Sequence, residues 1–257
     1  MRLFLFLCFF LLPSLSFSYT LEPCTKISFH KSQNKLNLIF SPLNYSSKKS
    51  FSRDIDILLQ RLKQTPPFAE FMDRISIWRI KLSQSEEKTF FKPAQYIPPL
   101  LVRQDFMDGI SNHLNSNYKL IIIDGLGSVS CAELSSPDKI SLIILGKNRY
   151  ENSQSFAKGF LHELGHSLGL RDECIDCAQL CAPGEPNCAS NQKEAERLWG
   201  DLAVGDLSAR VSYINGCCGN PDYIRPTIAS LMNDPDKAED FGPVNERYLR
   251  FCFDITF

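Results

Sequence analysis

His162-Glu163-Leu164-Gly165-His166-Ser167-Leu168-Gly169-Leu170-Arg171-Asp172 reads HExxHxxGxxD, and that spacing makes specific demands on the chain around it. On a helix the two histidines fall at i and i+4, one turn apart on one face, so both rings reach one metal ion. Glu163 leaves the same turn at another angle, poorly placed as a third ligand and well placed to hydrogen-bond a metal-bound water. Gly169 allows the chain to leave the helix through a left-handed turn, which only glycine adopts cheaply. That turn returns Asp172 beneath the metal as the third ligand. One coordination position stays open, as in catalytic rather than structural zinc sites. The bland reading, a surface helix with solvated histidines, leaves Gly169 and Asp172 without a purpose.

Around the motif, residues 153–168 are predicted to form the helix, with Phe156, Phe160, Leu164 and Leu168 as its core stripe. Upstream, residues 35–40 (KLNLIF) alternate like a strand. Residues 52–62 put Ile55, Leu58, Leu59 and Leu62 on one helical face, and Pro66-Pro67 stops that helix. Ile75, Ile77 and Ile80 suggest a second strand, and residues 103–114 a helix. Residues 119–123 (KLIII) and 140–145 (ISLIIL) are short apolar runs of the kind found in buried strands. The order argues for an α/β (α+β) class: a mixed, twisted sheet with helices packed on one face. The Gly- and Ser-rich residues 124–134 read either as a plain loop or as a weak edge strand that could hold a peptide by strand addition.

The first residues carry a basic start, an apolar run over 3–12 and small residues ending at Ser18. These features describe a secretory signal peptide over 1–18. The chain is therefore expected to be secreted or periplasmic, with no membrane association after cleavage. Residues 19–257 are expected to form one catalytic domain with a Cys-rich insertion at about 173–222. Of ten cysteines, Cys8 lies in the signal segment, leaving Cys24, Cys131, Cys174, Cys177, Cys181, Cys188, Cys217, Cys218 and Cys252. Export favours disulfides, with an odd thiol left over. The pairing stays open, except that neighbours Cys217 and Cys218 should bond elsewhere. The Cys-rich stretch shows little apolar periodicity and reads as a cross-linked loop without a core of its own. Cys174 and Cys177 could instead be a redox dithiol, or join Cys181 and Cys188 around a second, structural zinc. With 28 Lys and Arg against 29 Asp and Glu, nothing suggests a nucleic-acid partner.

Taken with Met232 in Ala229-Ser230-Leu231-Met232-Asn233, the residues His162, Glu163, His166, Gly169 and Asp172 resemble the metzincin clan of zinc endopeptidases. Met232 precedes Asp234-Pro235 and suits the tight turn (the Met-turn) that such proteins place beneath the metal. Residues 241–251 would then be the closing C-terminal helix. Asp172 as third ligand is similar to snapalysin-type peptidases. The element order and the Leu-x-Asp-Glu ending also resemble the IgA-peptidase-like metallopeptidases, although those have one more residue before the Asp and an aromatic where Cys174 stands. In archaemetzincins, too, cysteines follow the motif, but their third ligand is His. Cys218-Gly219-Asn220-Pro221-Asp222 matches the matrixin cysteine-switch pattern, yet follows the motif instead of preceding it, and reads as a disulfide cysteine.

The resemblance implies a metzincin-like sheet with an active-site helix, Met-turn and C-terminal helix. It also implies one catalytic zinc ion on His162, His166 and Asp172, Glu163 as general base, and a protein or peptide substrate cut by a monomer. An anionic Asp172 should leave the metal-bound water less acidic and shift the activity optimum upward. Tyr223 and Tyr248 are candidate oxyanion donors by position alone. Three alternatives stay open. Glu173 could replace Asp172 as ligand, or Glu194 or Glu196 could supply a gluzincin-like third ligand. The chain could also be a non-catalytic, secreted, zinc-containing protein-binding module, although such a module has no use for Glu163 as a base.

Overall fold

The computed structural model describes residues 20–23, 36–93, 100–114, 116–177, 181–205 and 210–257. The expected signal segment, Cys8 and Cys24 lie outside the described residues. The apolar runs become the middle of a six-stranded sheet. It contains β1 (Thr20–Pro23), β2 (Leu36–Leu43), β3 (Ile75–Lys81), β6 (Tyr118–Asp124), β7 (Ser130–Ala132) and β8 (Ser141–Gly146), in the order β1-β3-β2-β6-β8-β7. Strands β3, β2, β6 and β8 are mutually parallel, and β1 and β7 run antiparallel on the two edges. The register pairs Leu43 with Asp124 and Asp124 with Gly146, so β2, β6 and β8 end level with one another.

Three helices cover one face of this sheet: α1 (Lys48–Leu62), α4 (Ser153–Ser167) and α6 (Pro243–Thr256). Leu58, Phe160, Leu164 and Phe253 meet Phe40, Ile121, Ile123 and Leu145 there. The expectation that helices cover one face alone is corrected by the structure. On the opposite face lie α2 (Gln84–Phe90), the pair β4 (Phe91–Pro93) and β5 (Leu100–Val102), and α3 (Gln104–Leu114). Phe90, Phe106 and Ile110 pack on Ile39, Leu120, Ile122 and Ile144. The physical reason lies in the strands: successive side chains point to opposite faces. In β6, Leu120 and Ile122 need cover on one side just as Ile121 and Ile123 need it on the other. The result is a mixed α/β fold with a mostly parallel central sheet.

The cysteine-rich stretch is more ordered than its composition suggests. It contains α5 (Gln192–Trp199) and the hairpin β9 (Ile214–Cys217) and β10 (Asn220–Arg225). Ala195, fully buried Trp199, Val211, Ile224 and Val244 give it a small core, which corrects the coreless reading. Bridges join Cys174 to Cys177, Cys181 to Cys218, and Cys188 to Cys217. Cys217 and Cys218 thus bond to different partners, and among the described residues Cys131 and Cys252 are free. No helix among the described residues is long and apolar enough to cross a membrane.

Candidate metal centre

Helix α4 carries the first two candidate ligands, and its ends are fixed locally. The Asn152 side chain caps it, accepting from the backbone N–H of Gln154 (2.9 Å) and Ser155 (3.0 Å). At the other end Gly169 N donates to the His166 carbonyl (3.0 Å) and Leu170 N to that of Gly165 (3.0 Å). Gly169 has φ +104°, the left-handed geometry predicted for the exit. A Cβ there would also lie 2.5 Å from the Tyr248 hydroxyl, which donates to the Leu168 carbonyl (3.1 Å).

The turn brings Asp172 back to the histidines. His162 Nε2 and His166 Nε2 are 3.1 Å apart, and Asp172 Oδ1 lies 3.3 Å from the first and 3.2 Å from the second. Ligand atoms about 2.0 Å from one ion at tetrahedral angles stand about 3.3 Å apart, so the triangle is the size of one face of a zinc coordination shell. The ring tautomers suit it as well. His162 Nδ1 bonds the Leu231 carbonyl (2.8 Å) and His166 Nδ1 that of Leu170 (2.9 Å). With the proton held at Nδ1, each Nε2 keeps its lone pair for a metal. The residues fit a single zinc ion.

Electrostatics sharpen the division of roles. Burial and the neighbouring His166 push the His162 cation down to about 4, so this ring is neutral over the physiological range. Burial also disfavours the His166 cation, but the hydrogen bond and charge of Asp172 outweigh it and raise this pKa. Asp172 is pushed upward by burial, yet His166 wins and the carboxyl stays below its usual range. Burial drives Glu163 up to about 7. Its carboxylate lies within 4.8 Å of ring nitrogens of both histidines. It is thus poised to take and return a proton near neutrality.

Beneath the triangle lies the turn at Met232. Asn233 N and Asp234 N both donate to the Ser230 carbonyl (3.0 Å each), and Leu231 and Met232 are fully buried. Gly165 permits the close approach: a Cβ there would come within 2.6 Å of Met232 Sδ. The carbonyl of Leu231 thereby reaches His162.

Glu173 occupies a different place from its neighbour. It is fully buried. Its Oε1 accepts from Asn187 Nδ2 (3.0 Å) and Asn245 Nδ2 (2.7 Å), and its Oε2 from Ser230 Oγ (2.6 Å) and Thr227 Oγ1 (3.3 Å). Its backbone N–H donates to the Met232 carbonyl (2.8 Å). Both carboxylate oxygens are engaged away from the histidines, so Glu173 ties the turn, α6 and the Cys-rich stretch together. Glu194 caps its own helix region, accepting from Ser190 N (2.7 Å) and Gly184 N (3.1 Å). Glu196 accepts from Gln192 (2.9 Å) on the same helix. Neither reaches the centre. Tyr223 packs on the buried cysteines, and Tyr248 is engaged at Leu168.

The centre opens into a cleft of about 1150 Å³. Edge strand β7 forms one rim through Ser130, Cys131 and Ala132, and Pro235, Asp236 and Glu239 after the turn line it elsewhere. Two cleft features escaped the sequence. Lys158, buried on α4, donates to Glu239 Oε1 (2.6 Å), and Glu239 Oε2 accepts from Arg61 (2.9 Å). Nothing in a lone helical lysine announces that pair. The Cys174–Cys177 bridge also lines the cleft, a position that its closeness to Asp172 in sequence could have suggested.

No protein-family model and no curated protein matches the chain. Among solved structures it is similar to archaemetzincin from Methanopyrus kandleri, at 12% identity over 56% of this chain and 79% of that one, with a TM-score of 0.30. At that identity and score the likeness assigns no activity.

Proposed function

We propose that this chain is a zinc-dependent endopeptidase. The observation that carries the reading is the convergence of His162 Nε2, His166 Nε2 and Asp172 Oδ1 within 3.1–3.3 Å, beside a buried Glu163 on the wall of an open cleft. A structural site needs ligands but no base and no cleft. His162, His166 and Asp172 would hold the ion. When bound there, zinc supplies an acidified water and a Lewis-acid partner for the scissile carbonyl. Glu163 takes the proton of the attacking water on its carboxylate and returns it to the leaving amine, a cycle favoured by a pKa near 7. Strand β7 has its outer edge free of any sheet partner among the described residues. An extended peptide can add to it as a further strand and lie across the centre. The three disulfide pairs support reading the chain as exported, since such bridges persist in oxidising compartments.

The test is hydrolysis of an unbiased peptide mixture by the oxidised chain, read by mass spectrometry beside Glu163→Ala. Cleavage should fall about 10²- to 10⁴-fold in the variant while bound zinc is retained. Zinc bound by both chains with cleavage by neither contradicts the peptidase reading and leaves a metal-bearing binding module.

A further inference from the structure

The Cys174–Cys177 bridge is unlike the other two. Cys188, Cys217 and Cys218 are buried and Cys181 is half-buried, whereas Cys174 and Cys177 are both half-buried and line the same cleft as the histidines. Its partners are separated by 3 residues, against 37 and 29 for the others. A bridge restrains the unfolded chain less as the loop it closes shortens, so this one contributes least to holding the fold. The local backbone has other fastenings as well. Cys218 N donates to the Asp172 carbonyl (3.0 Å) and Gly219 N to the Cys174 carbonyl (2.9 Å). Most telling is the position of the sulfurs: both lie within 4.8 Å of a carboxylate oxygen of Asp172, the same residue that closes the triangle with the histidines.

We propose that Cys174 and Cys177 are a redox-gated second ligand set for the ion of this centre, with Asp172 common to both sets. The proposal rests on the metal-site reading above. A dithiol reductant opens the set. It gives two electrons and two protons to the bridge and is itself oxidised to a cyclic disulfide; the S–S bond of the protein breaks and each cysteine gains one hydrogen. Ligation then removes the proton of the thiol, which passes to solvent. Thiolate sulfur is the softer donor and is favoured by zinc and cobalt over a water or carboxylate oxygen. It therefore fills the position that the attacking water requires, or draws the ion towards Asp172 and away from the histidines. Activity is off in a reducing compartment and on in an oxidising one. A cleft-facing bridge with both cysteines half-buried is reachable by the reductant, whereas each of the other two pairs has at least one buried cysteine.

The experiment loads the oxidised full chain with Co²⁺ and follows its absorption during reduction by a dithiol, with Cys174→Ser/Cys177→Ser alongside as a control for chelation by the reductant. The result expected is a thiolate-to-cobalt band in the near ultraviolet on reduction, with loss of peptide hydrolysis. Both changes reverse on reoxidation, and both are absent in the double variant, which stays active. Cobalt bound to the oxidised chain with no thiolate band after reduction, when alkylation and mass spectrometry show both thiols free, overturns the proposal and leaves the metal site standing. An oxidised chain that takes up no cobalt overturns the metal-site reading itself, and the proposal with it. Where the double variant does not fold, the band is read after anaerobic removal of the dithiol by gel filtration; a band retained by the unsubstituted chain supports the proposal, and a band that leaves with the dithiol overturns it.

Discussion

His166 and Asp172 stabilise each other's charge. Asp172 raises the pKa of His166 against the pull of burial, while His162 is neutral down to about 4. A metal must displace a proton from His166 before it can use Nε2, so proton competition is set by His166 and not by His162. A raised imidazole pKa moves that competition to higher pH. Zinc affinity is therefore expected to begin falling, as pH drops, above the ordinary histidine value of about 6.5, measured by competition with a chromogenic chelator. Affinity held constant down to pH about 4 contradicts this assignment. Glu173 makes a second prediction. Removing its carboxylate strands four donors, from Asn187, Asn245, Ser230 and Thr227, in a site closed to water. Unpaired buried polar groups cost about 1–3 kcal/mol each. Glu173→Ala should lose at least about 2 kcal/mol in denaturant unfolding. A variant as stable as the parent shows that the network is not what holds the turn.

Besides the bond from His162 to the Leu231 carbonyl, helix α4 and the turn beneath it meet where Gly165 faces Met232. Gly165→Ala forces a Cβ to within 2.6 Å of Met232 Sδ, an overpacking expected to cost about 1–3 kcal/mol. Shortening the partner by Met232→Val should recover part of that loss, so the double variant is more stable than the sum of the two singles. Strict additivity in thermal unfolding denies the contact. Much at this scale was legible: the apolar runs of β6 and β8 and the stripe of α4 carry their burial in their composition, and the zinc motif is confined to eleven consecutive residues. Other elements were hidden for physical reasons. Helix α2 spans only seven residues, too few for a periodic stripe, although its Ser83–Glu86 capping box was readable. The β9–β10 hairpin turns through Cys218 (φ 53°) and Gly219 (φ 66°), and cysteine is an unusual residue for that left-handed position. The Glu173 network draws on residues 14 to 72 positions away. No local pattern reports such a convergence.

Across the whole molecule the centre sits where two differently built parts meet. The parallel sheet sends β8 into α4, which delivers the histidines and Glu163 beside the β7 rim. The chain beyond Gly169, tied by disulfides, the Glu173 network and the Lys158–Glu239–Arg61 set, delivers Asp172 and the Met232 turn. The first part is stiffened by burial on both faces of a sheet, and the second by cross-links and polar networks around a smaller core. One metal is therefore expected at that junction and none at the disulfide-bonded cysteines Cys181, Cys188 and Cys218, even though their sulfurs lie within 4.8 Å of one another. The most direct test is anomalous scattering at the zinc edge from crystals of the oxidised chain grown with zinc. The predicted result is one peak bonded to His162 Nε2, His166 Nε2 and Asp172 Oδ1, with Glu173 apart from it. A peak among the cysteines with none at the histidines, or coordination by Glu173 in place of Asp172, would contradict the account.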